Sequence, residues 1–492
     1  MHSWSTDMKN KNFLPFIGRK AELAELERFS KKKTASLIVI KGRRRIGKSR
    51  LVSEFAKTRV FYAFMGLPPH AATTAQSQRD EFAKQLSVNT GLPEIKADDW
   101  SKLFALLAQQ AQTGKVILLF DEISWMGSED PDFLGKIKNA WDNYFNKNPH
   151  LIFIICGSAS SWIEKNILSS TGFLGRVSYT MTLHELPLNE CNYFWGKYAD
   201  HISPYEKLKI LSVTGGVPKY LEEIDPPLSA EENIKNLCFK SGALLVDEFN
   251  NIFNDLFLRD SVTYRKIIVC LVSGIKDSTK IAQALNVQAS GRLSEYLEEL
   301  ELAGFITRDY TWDLKTGQDK KLSQYRLSDN YLRFYLKYID KYYAKIKRNS
   351  FTVKTLISLP EWRTIMGLQF ENLVLNNRKT IHKLLGLRAE DIVSDNPFFQ
   401  KTGSRQPGCQ IDYMIQTRFD TLYLCEVKFS KQMIGLEILE EITQKMARLK
   451  RPKGFSIRPV LIHVNGVSEA VIESDFFSSI VDFCNLFEKS TY

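Results

Sequence analysis

The chain of 492 residues has no apolar run close to the roughly 18 residues that a membrane-spanning helix needs. Its longest apolar runs, such as Leu151-Ile152-Phe153-Ile154-Ile155, have the length of short strands. The opening Met1-His2-Ser3-Trp4 lacks the apolar core of a signal peptide. Cysteine is sparse: the seven residues, at 156, 191, 238, 270, 409, 425 and 484, are odd in number, scattered, and include no C-x-x-C pair. That argues against a disulfide or zinc framework and reads as free thiols in a reducing compartment. A soluble, cytoplasmic protein with no membrane partner is expected. Disorder is excluded as well, because 44% of the residues are hydrophobic and 25% charged. The length calls for two to four domains.

Positive charge is in excess. A net charge of +11 favours polyanionic partners, and clusters such as Lys341 to Arg348 and Arg448 to Lys453 contribute to it. A solvated basic surface would account for the same charge.

The most specific stretch is Lys41-Gly42-Arg43-Arg44-Arg45-Ile46-Gly47-Lys48-Ser49, of the form G-x-x-x-x-G-K-[ST]. It follows the β-branched run Leu37-Ile38-Val39-Ile40 and opens the helix-like Arg50-Leu51-Val52-Ser53-Glu54-Phe55, the strand, loop and helix context of a phosphate cradle. The loop from Gly42 to Arg50 would turn its N–H groups toward phosphates at a helix N-terminus. Lys48 would reach the β- and γ-phosphates of ATP, and Ser49 would hold Mg²⁺. The alternative is a glycine-containing turn. Further on, Lys115-Val116-Ile117-Leu118-Leu119-Phe120 ends in Asp121-Glu122. In a nucleotide site Asp121 would bind Mg²⁺ through water and Glu122 would deprotonate the attacking water; otherwise this is a strand ending in a charged turn.

The strand Leu151 to Cys156 ends at Gly157-Ser158, where Ser158 would sense the γ-phosphate or simply cap a helix. Arg176, in Gly172-Phe173-Leu174-Gly175-Arg176, would complete the site as an arginine finger or sensor, or lie on the surface.

Phe16-Ile17-Gly18-Arg19, Gly42 to Ser49, Leu119-Phe120-Asp121-Glu122, Gly157-Ser158, Gly175-Arg176 and Thr214-Gly215-Gly216-Val217-Pro218 together resemble the archaeal-type ATPase family, within the AAA+/STAND group of P-loop proteins. The resemblance implies that the Gly-Gly-x-Pro element, here with Pro218, joins the nucleotide domain to the following helices and reports nucleotide state. A rigid turn before Lys219-Tyr220-Leu221 needs no nucleotide.

After Asp225-Pro226-Pro227 the chain reads as helical to about Phe257. Helices at Tyr264 to Leu271 and Ser278 to Leu285, a turn at Asn286 to Ser290, and a third helix carrying Leu293, Tyr296, Leu297 and Leu300 follow. Strands at Phe305 to Arg308 and Tyr325 to Leu327, joined by a basic loop from Lys315 to Lys321, complete the order of a winged helix-turn-helix. Its third helix displays Glu295, Glu298, Glu299 and Glu301, with only Arg292 near its start, which argues against insertion into a major groove. An interdomain or partner-binding role suits it better, with weak DNA contact left to the loop lysines.

A new unit is expected near Leu359. Glu361 to Leu375 fits a helix carrying Glu371. The strands Gln410 to Ile415 and Leu422 to Lys428 follow, and strand period puts Glu426 and Lys428 on one face. If the two strands pair, Asp412 joins them. Asp412 and Glu426 could then hold Mg²⁺, Glu371 could be a further ligand, and Lys428 could stabilise a hydroxide or a phosphate transition state. An ordinary hairpin with its charged side in water is the alternative. The arrangement resembles the PD-(D/E)xK nuclease-like domain of DUF234 type that follows such ATPase modules, with Ile411 where the motif's name has proline.

The expected fold is α/β. A P-loop parallel sheet with helices on both faces is followed by a helical, winged-helix unit and an α/β restriction-endonuclease-like domain. The expected segments are 1–225, 226–345, a linker at 346–358, and 359–492. The function these features imply is an ATP-hydrolysing switch coupled to a Mg²⁺-dependent DNA nuclease-like domain. A switch that binds DNA or a protein partner, including a second copy, without cleavage is the alternative, and a transcriptional regulator is a third.

Overall fold

A computed structural model describes residues 15–487, apart from 71, 257–260, 289 and 405. Met1 to Trp4, Phe257 and Ala289, which figure in the expectations above, lie outside the described residues. The chain divides into two compact units: one runs to Leu186 and includes Leu221–Glu223, and the other comprises Pro187–Tyr220 and the chain from Ile224 onward.

The first unit is built on five parallel strands, β1 (Ser36–Gly42), β2 (Val60–Met65), β3 (Val116–Asp121), β4 (Ile152–Gly157) and β5 (Val177–Leu183), in the order β2-β3-β4-β1-β5. Strands β1, β3 and β4 are buried along almost their whole length, as near-continuous Leu/Ile/Val/Phe runs between two helical layers must be. Alternate residues feed two cores. Val39, Leu118, Phe120, Phe153 and Ile155 pack with Phe82, Trp100, Phe104 and Phe133. On the other face Ile38, Ile40, Leu119, Ile154 and Cys156 meet Leu26, Phe29, Leu51 and Phe55.

The helices of that second layer are α1 (Lys20–Ser30) and α2 (Lys48–Ala56); α3 (Ala75–Thr90), α4 (Trp100–Gln110) and α5 (Phe133–Asn143) form the first. In α4 the buried residues Trp100, Leu103, Phe104 and Leu107 recur at helical spacing, and Asp99 caps the N-terminus by accepting from the Ser101 N–H at 2.6 Å. At the β2 edge, Gln85 of α3 exchanges two hydrogen bonds with the Met65 backbone, at 2.8 and 3.0 Å. This occupies groups that would otherwise offer themselves to another strand.

In the second unit α6 (Pro204–Thr214) precedes α7 (Ser261–Leu271), α8 (Ser278–Leu285) and α9 (Gly291–Leu302). An antiparallel hairpin of β6 (Ile306–Trp312) and β7 (Asp319–Leu327) then completes the winged-helix order. After α10 (Trp362–Asn376) come β8 (Ile392–Gln400), β9 (Cys409–Thr417), β10 (Thr421–Lys428), α11 (Glu437–Arg448), β11 (Ser456–His463) and β12 (Ser479–Asp482). These strands form a second sheet, order β12-β11-β10-β9-β8, antiparallel across β8-β9-β10 and parallel across β10-β11-β12.

The division at Leu186 falls inside the expected first segment, 1–225, and the hairpin packs with the second sheet. Trp312 and Leu314 are buried in one core with Phe398, Ile411 and Met414, and Trp312 Nε1 donates to Gln416 Oε1 at 2.6 Å. At the hairpin turn a Cβ on Gly317 would stand 2.5 Å from Val393 Cγ1 of β8. A hairpin docked this way is not a free wing. Lys320 and Lys321, expected in a loop, belong to β7. Of the four glutamates of α9, Glu295 and Glu298 are exposed, whereas Glu299 accepts from the Tyr264 hydroxyl and Glu301 from the Arg308 N–H at 3.1 Å.

All seven cysteines are free. Among the described residues no helix is long and apolar enough to cross a membrane.

Candidate functional sites

The loop between β1 and α2 is shaped by three residues of positive φ: Gly42 (147°), Arg45 (68°) and Gly47 (91°). At Gly42 a side chain is excluded for a second reason, since a Cβ there would lie 2.5 Å from the Leu183 carbonyl oxygen of β5. Gly47 offers α2 no side-chain cap, so the first N–H groups of this nine-residue helix receive no side-chain acceptor from that position. Lys48 is only 6% exposed, and its Nζ donates to the carbonyls of Gly42 at 3.0 Å and Arg43 at 3.2 Å. Burial lowers its pKa, opposed by the charges of Glu122 and Asp121.

Ser49 and Asp121 meet through a hydroxyl–carboxylate hydrogen bond. Asp121 Oδ1 also accepts the Glu122 N–H at 3.0 Å, and burial raises the Asp121 pKa. Glu122, at the tip of β3 with φ 48°, accepts from Ser158 at the tip of β4: from its N–H at 3.1 Å and from its hydroxyl at 3.0 and 2.9 Å. The structure therefore brings together Gly42 to Ser49, Asp121, Glu122 and Ser158, with Arg44 close enough to Lys48 to oppose its charge. The chemistry fits a nucleoside polyphosphate and a hard cation: a buried ammonium, a helix N-terminus, a hydroxyl and two carboxylates.

Arg50, expected in that set, pairs through its guanidinium with Glu222 at 2.9 Å. Arg176 lies elsewhere. The pairing of Leu37 with Val177 puts it at the start of β5, whereas the loop follows the end of β1. At about 3.3 Å per residue that is roughly 20 Å away, and its guanidinium makes two 2.8 Å bonds to Asp142. It does not line the loop of its own chain. Pro218 opens the helical turn Pro218–Leu221 and is counted in the second unit.

One loop-holding residue was not assigned a role from sequence. Arg19 is 4% exposed; it donates to the Ile46 carbonyl of the loop at 3.2 Å, to the His184 carbonyl just after β5 at 2.6 Å, and to Glu22 at 2.9 Å. Its signal was present in Phe16-Ile17-Gly18-Arg19, as two consecutive residues of positive φ, Gly18 (71°) and Arg19 (59°), direct the chain into α1.

The second constellation forms on β9, β10 and two helices. Pairing of Tyr413 with Cys425 brings Asp412 alongside the end of β10, where its Oδ2 accepts the Val427 N–H at 3.2 Å. Glu426 and Lys428 share a face, as strand period requires, with Lys428 Nζ 2.9 Å from Glu426 Oε1. Helix α11 adds two groups that sequence reasoning missed. Lys445 Nζ binds Glu426 Oε2 at 2.6 Å, and Glu441 takes the Lys428 ammonium on both oxygens at 2.9 Å. Their spacing of four is the available signal, as it puts both on one helical face.

Glu371 of α10 and Asp412 line a crevice of about 20 Å³, room for a water-sized group, with Asp309, Arg326, Phe399 and Gln410. Burial comes first in raising all three carboxylates. It is reinforced at Asp412, which stands at about 6, by Glu371, and at Glu426, at about 7, by Asp412. Among the described residues no three His, Cys, Asp or Glu side chains gather as a metal site, so the expected trio of Glu371, Asp412 and Glu426 is not assembled as one. A pair of carboxylates still suits Mg²⁺, which keeps several of its waters.

Residues 16–224 match the family described as an ATPase domain predominantly from Archaea. An uncharacterized protein of Methanocaldococcus jannaschii is 24% identical over 364 residues, 72% of this chain and 75% of that one. Among solved structures, the Walker-type ATPase PABY2304 of Pyrococcus abyssi is 16% identical, covering 65% of this chain and 96% of that one with a TM-score of 0.47. The ORC2 protein of Aeropyrum pernix, in complexes with ADPNP and ADP, is 14% identical over 69% of this chain and 97% of that one, TM-score 0.41. The first of these matches and the loop geometry agree: residues 16–224 contain an ATPase domain of P-loop type.

Proposed function

We propose that the chain is an ATP-hydrolysing switch whose nucleotide state governs a Mg²⁺-dependent DNA nuclease-like centre. The observation that carries the first half is the connected set Ser49–Asp121–Glu122–Ser158 facing the loop of Lys48. Mg²⁺, when bound, neutralises phosphate charge. Lys48 leaves two neutral carbonyls for the β- and γ-phosphates, so no ion pair has to be separated first. Ser49 and Asp121 would hold the cation, and Glu122 would accept the proton of the attacking water. Ser158 orients Glu122, and its hydroxyl is the group placed to exchange that carboxylate for the γ-phosphate. Arg44, Arg45 and Arg43 supply positive charge around the loop. Arg176 would act only on the site of a neighbouring copy, and Pro218 is the element that reports nucleotide state to the second unit.

In the second unit Asp412 and Glu426 are the carboxylates for Mg²⁺, with Glu371 behind them, and Lys428 is the cation for the developing charge at a phosphate. A second reading has its own support. Both oxygens of Glu426 are held by lysines, an arrangement that also suits a domain that binds DNA or a protein without cutting.

The experiment is a plasmid-cleavage assay with Mg²⁺ or Mn²⁺, with and without ATP, on the native chain, Lys48→Ala and Asp412→Ala. Cleavage is expected to respond to ATP, to lose that response in Lys48→Ala and to vanish in Asp412→Ala. Cleavage that persists in Asp412→Ala rejects the centre; ATP hydrolysis without cleavage under either metal selects the second reading.

A further inference from the structure

The basic stretch Arg448 to Lys453, noted in the sequence, has a defined place in the fold. Arg448 ends α11, one turn beyond Lys445, whose ammonium binds Glu426. Leu449 is buried and anchors the turn, while Arg448, Lys450 and Arg451 on either side of it are exposed. The turn is tied to the end of β8 by one side chain: Gln400 Nε2 donates to the Arg448 carbonyl at 2.9 Å and the Pro407 carbonyl at 2.8 Å, and its Oε1 accepts the Lys450 N–H at 3.0 Å. Lys401, the next residue, is exposed too. Gln400 pairs with Cys409, three residues before Asp412, and the Cys409 thiol lies within 3.5 Å of the Lys445 carbonyl. The backbone that carries these four cations is thus tied to the start of β9, three residues before Asp412.

They are also uncompensated. Some exposed cations elsewhere have a carboxylate within a turn, as Lys57 has Glu54 at 2.7 Å and Lys102 has Asp98 at 2.6 Å. Among the described residues none of Lys401, Arg448, Lys450 and Arg451 has a carboxylate within 4 Å. Leaving four like charges together costs free energy through mutual repulsion, which a polyanion removes.

We propose that Lys401, Arg448, Lys450 and Arg451 form a rim that binds the phosphodiester backbone of duplex DNA and leads it past Asp412 and Glu426. The rim rests on the nuclease-like reading for what it serves, but its binding is testable apart from cleavage. Flexible, outward-facing cations contact phosphates, so the binding is independent of base sequence.

The test uses the full chain and a fluorescein-labelled duplex of about 30 base pairs in EDTA, with anisotropy read from 50 to 200 mM salt. The rim variant K401S/R448S/K450S/R451S is compared with K31S/K32S/K33S/K84S, which makes the same change in net charge, from +11 to +7. The rim variant is expected to bind about 100-fold more weakly at 50 mM salt, with the log–log salt slope reduced by roughly 3. The control should stay within about twofold of the native chain. Equal loss in both variants, unchanged binding by the rim variant, or no duplex binding by the native chain overturns the proposal. A native chain that cuts nothing in Mg²⁺, while the rim variant alone loses binding, keeps the rim and removes the nuclease reading.

Discussion

The two centres place the same chemistry, carboxylates at the end of a buried strand beside a lysine, in opposite electrostatic settings. At the P-loop, Lys48 rests on two main-chain carbonyls while Asp121 and Glu122 are held by serine hydroxyls and N–H groups. These hydrogen-bond partners of Lys48, Asp121 and Glu122 are neutral, so phosphate and cation can replace them without breaking an ion pair of those three side chains. On β10, Glu426 is bound directly by Lys428 and Lys445, and Lys428 again by Glu441. A metal ion entering there must compete with two ammonium groups already in place. The first site is ready for its ligand, and the second is closed on itself.

The largest test of that contrast is at Lys48. Lys48→Ala should lower ATP hydrolysis about 10²- to 10³-fold, measured as phosphate release, with little loss of stability because the lysine bonds only to loop carbonyls. A rate within a few fold of native would mean the loop is not the hydrolytic site. Next, Trp312→Ala should destabilise the second unit by about 3–5 kcal/mol in urea unfolding, since the indole is fully buried in the core it shares with the second sheet. A loss under about 1 kcal/mol would show the hairpin to be a separate wing.

Smaller is the pH response of the closed centre without metal. The folded values of about 6 for Asp412 and about 7 for Glu426 lie above the ordinary 3.8 and 4.5. Folding then favours the protonated carboxyls. The contribution is full below pH 4 and is lost as pH rises to about 7. The thermal midpoint in EDTA should accordingly fall between pH 5 and 8, Mg²⁺ should offset the fall, and Asp412→Asn should flatten it. A midpoint that rises over that interval in EDTA contradicts the pair. Least of all, Asp99→Ala removes one helix cap and should cost about 1 kcal/mol. Asp99 is held down at about 2, chiefly by its bond to Lys136, so its contribution is present above pH 4 and fades as pH falls toward 2. Acid titration of native and variant chains compares the two directly.

Local chemistry explains which parts were legible. Strands β1, β3 and β4 announce themselves because burial on both faces demands an unbroken apolar run. Strands β2 and β5, at the sheet edges, alternate or are half exposed, so no such run marks them. The loop of Lys48 is one continuous stretch, and its glycines and lysine must be adjacent for it to work. Asp412, Glu426 and Lys428 were visible only as a period-two pattern on two strands that had to pair. Nothing in that pattern points to Lys445 and Glu441, because their partners are contributed by another element.

What the sequence determined by itself is the P-loop and the acids at the tip of β3, since backbone conformation, helix polarity and strand burial are set by residues next to one another. Only the tertiary structure decided that Arg176 stands at the far end of the sheet from its own loop, that the hairpin at Trp312 belongs to the C-terminal core, and that Glu426 is shared by two lysines. Those outcomes depend on sheet order and on packing between distant elements, which no local pattern encodes.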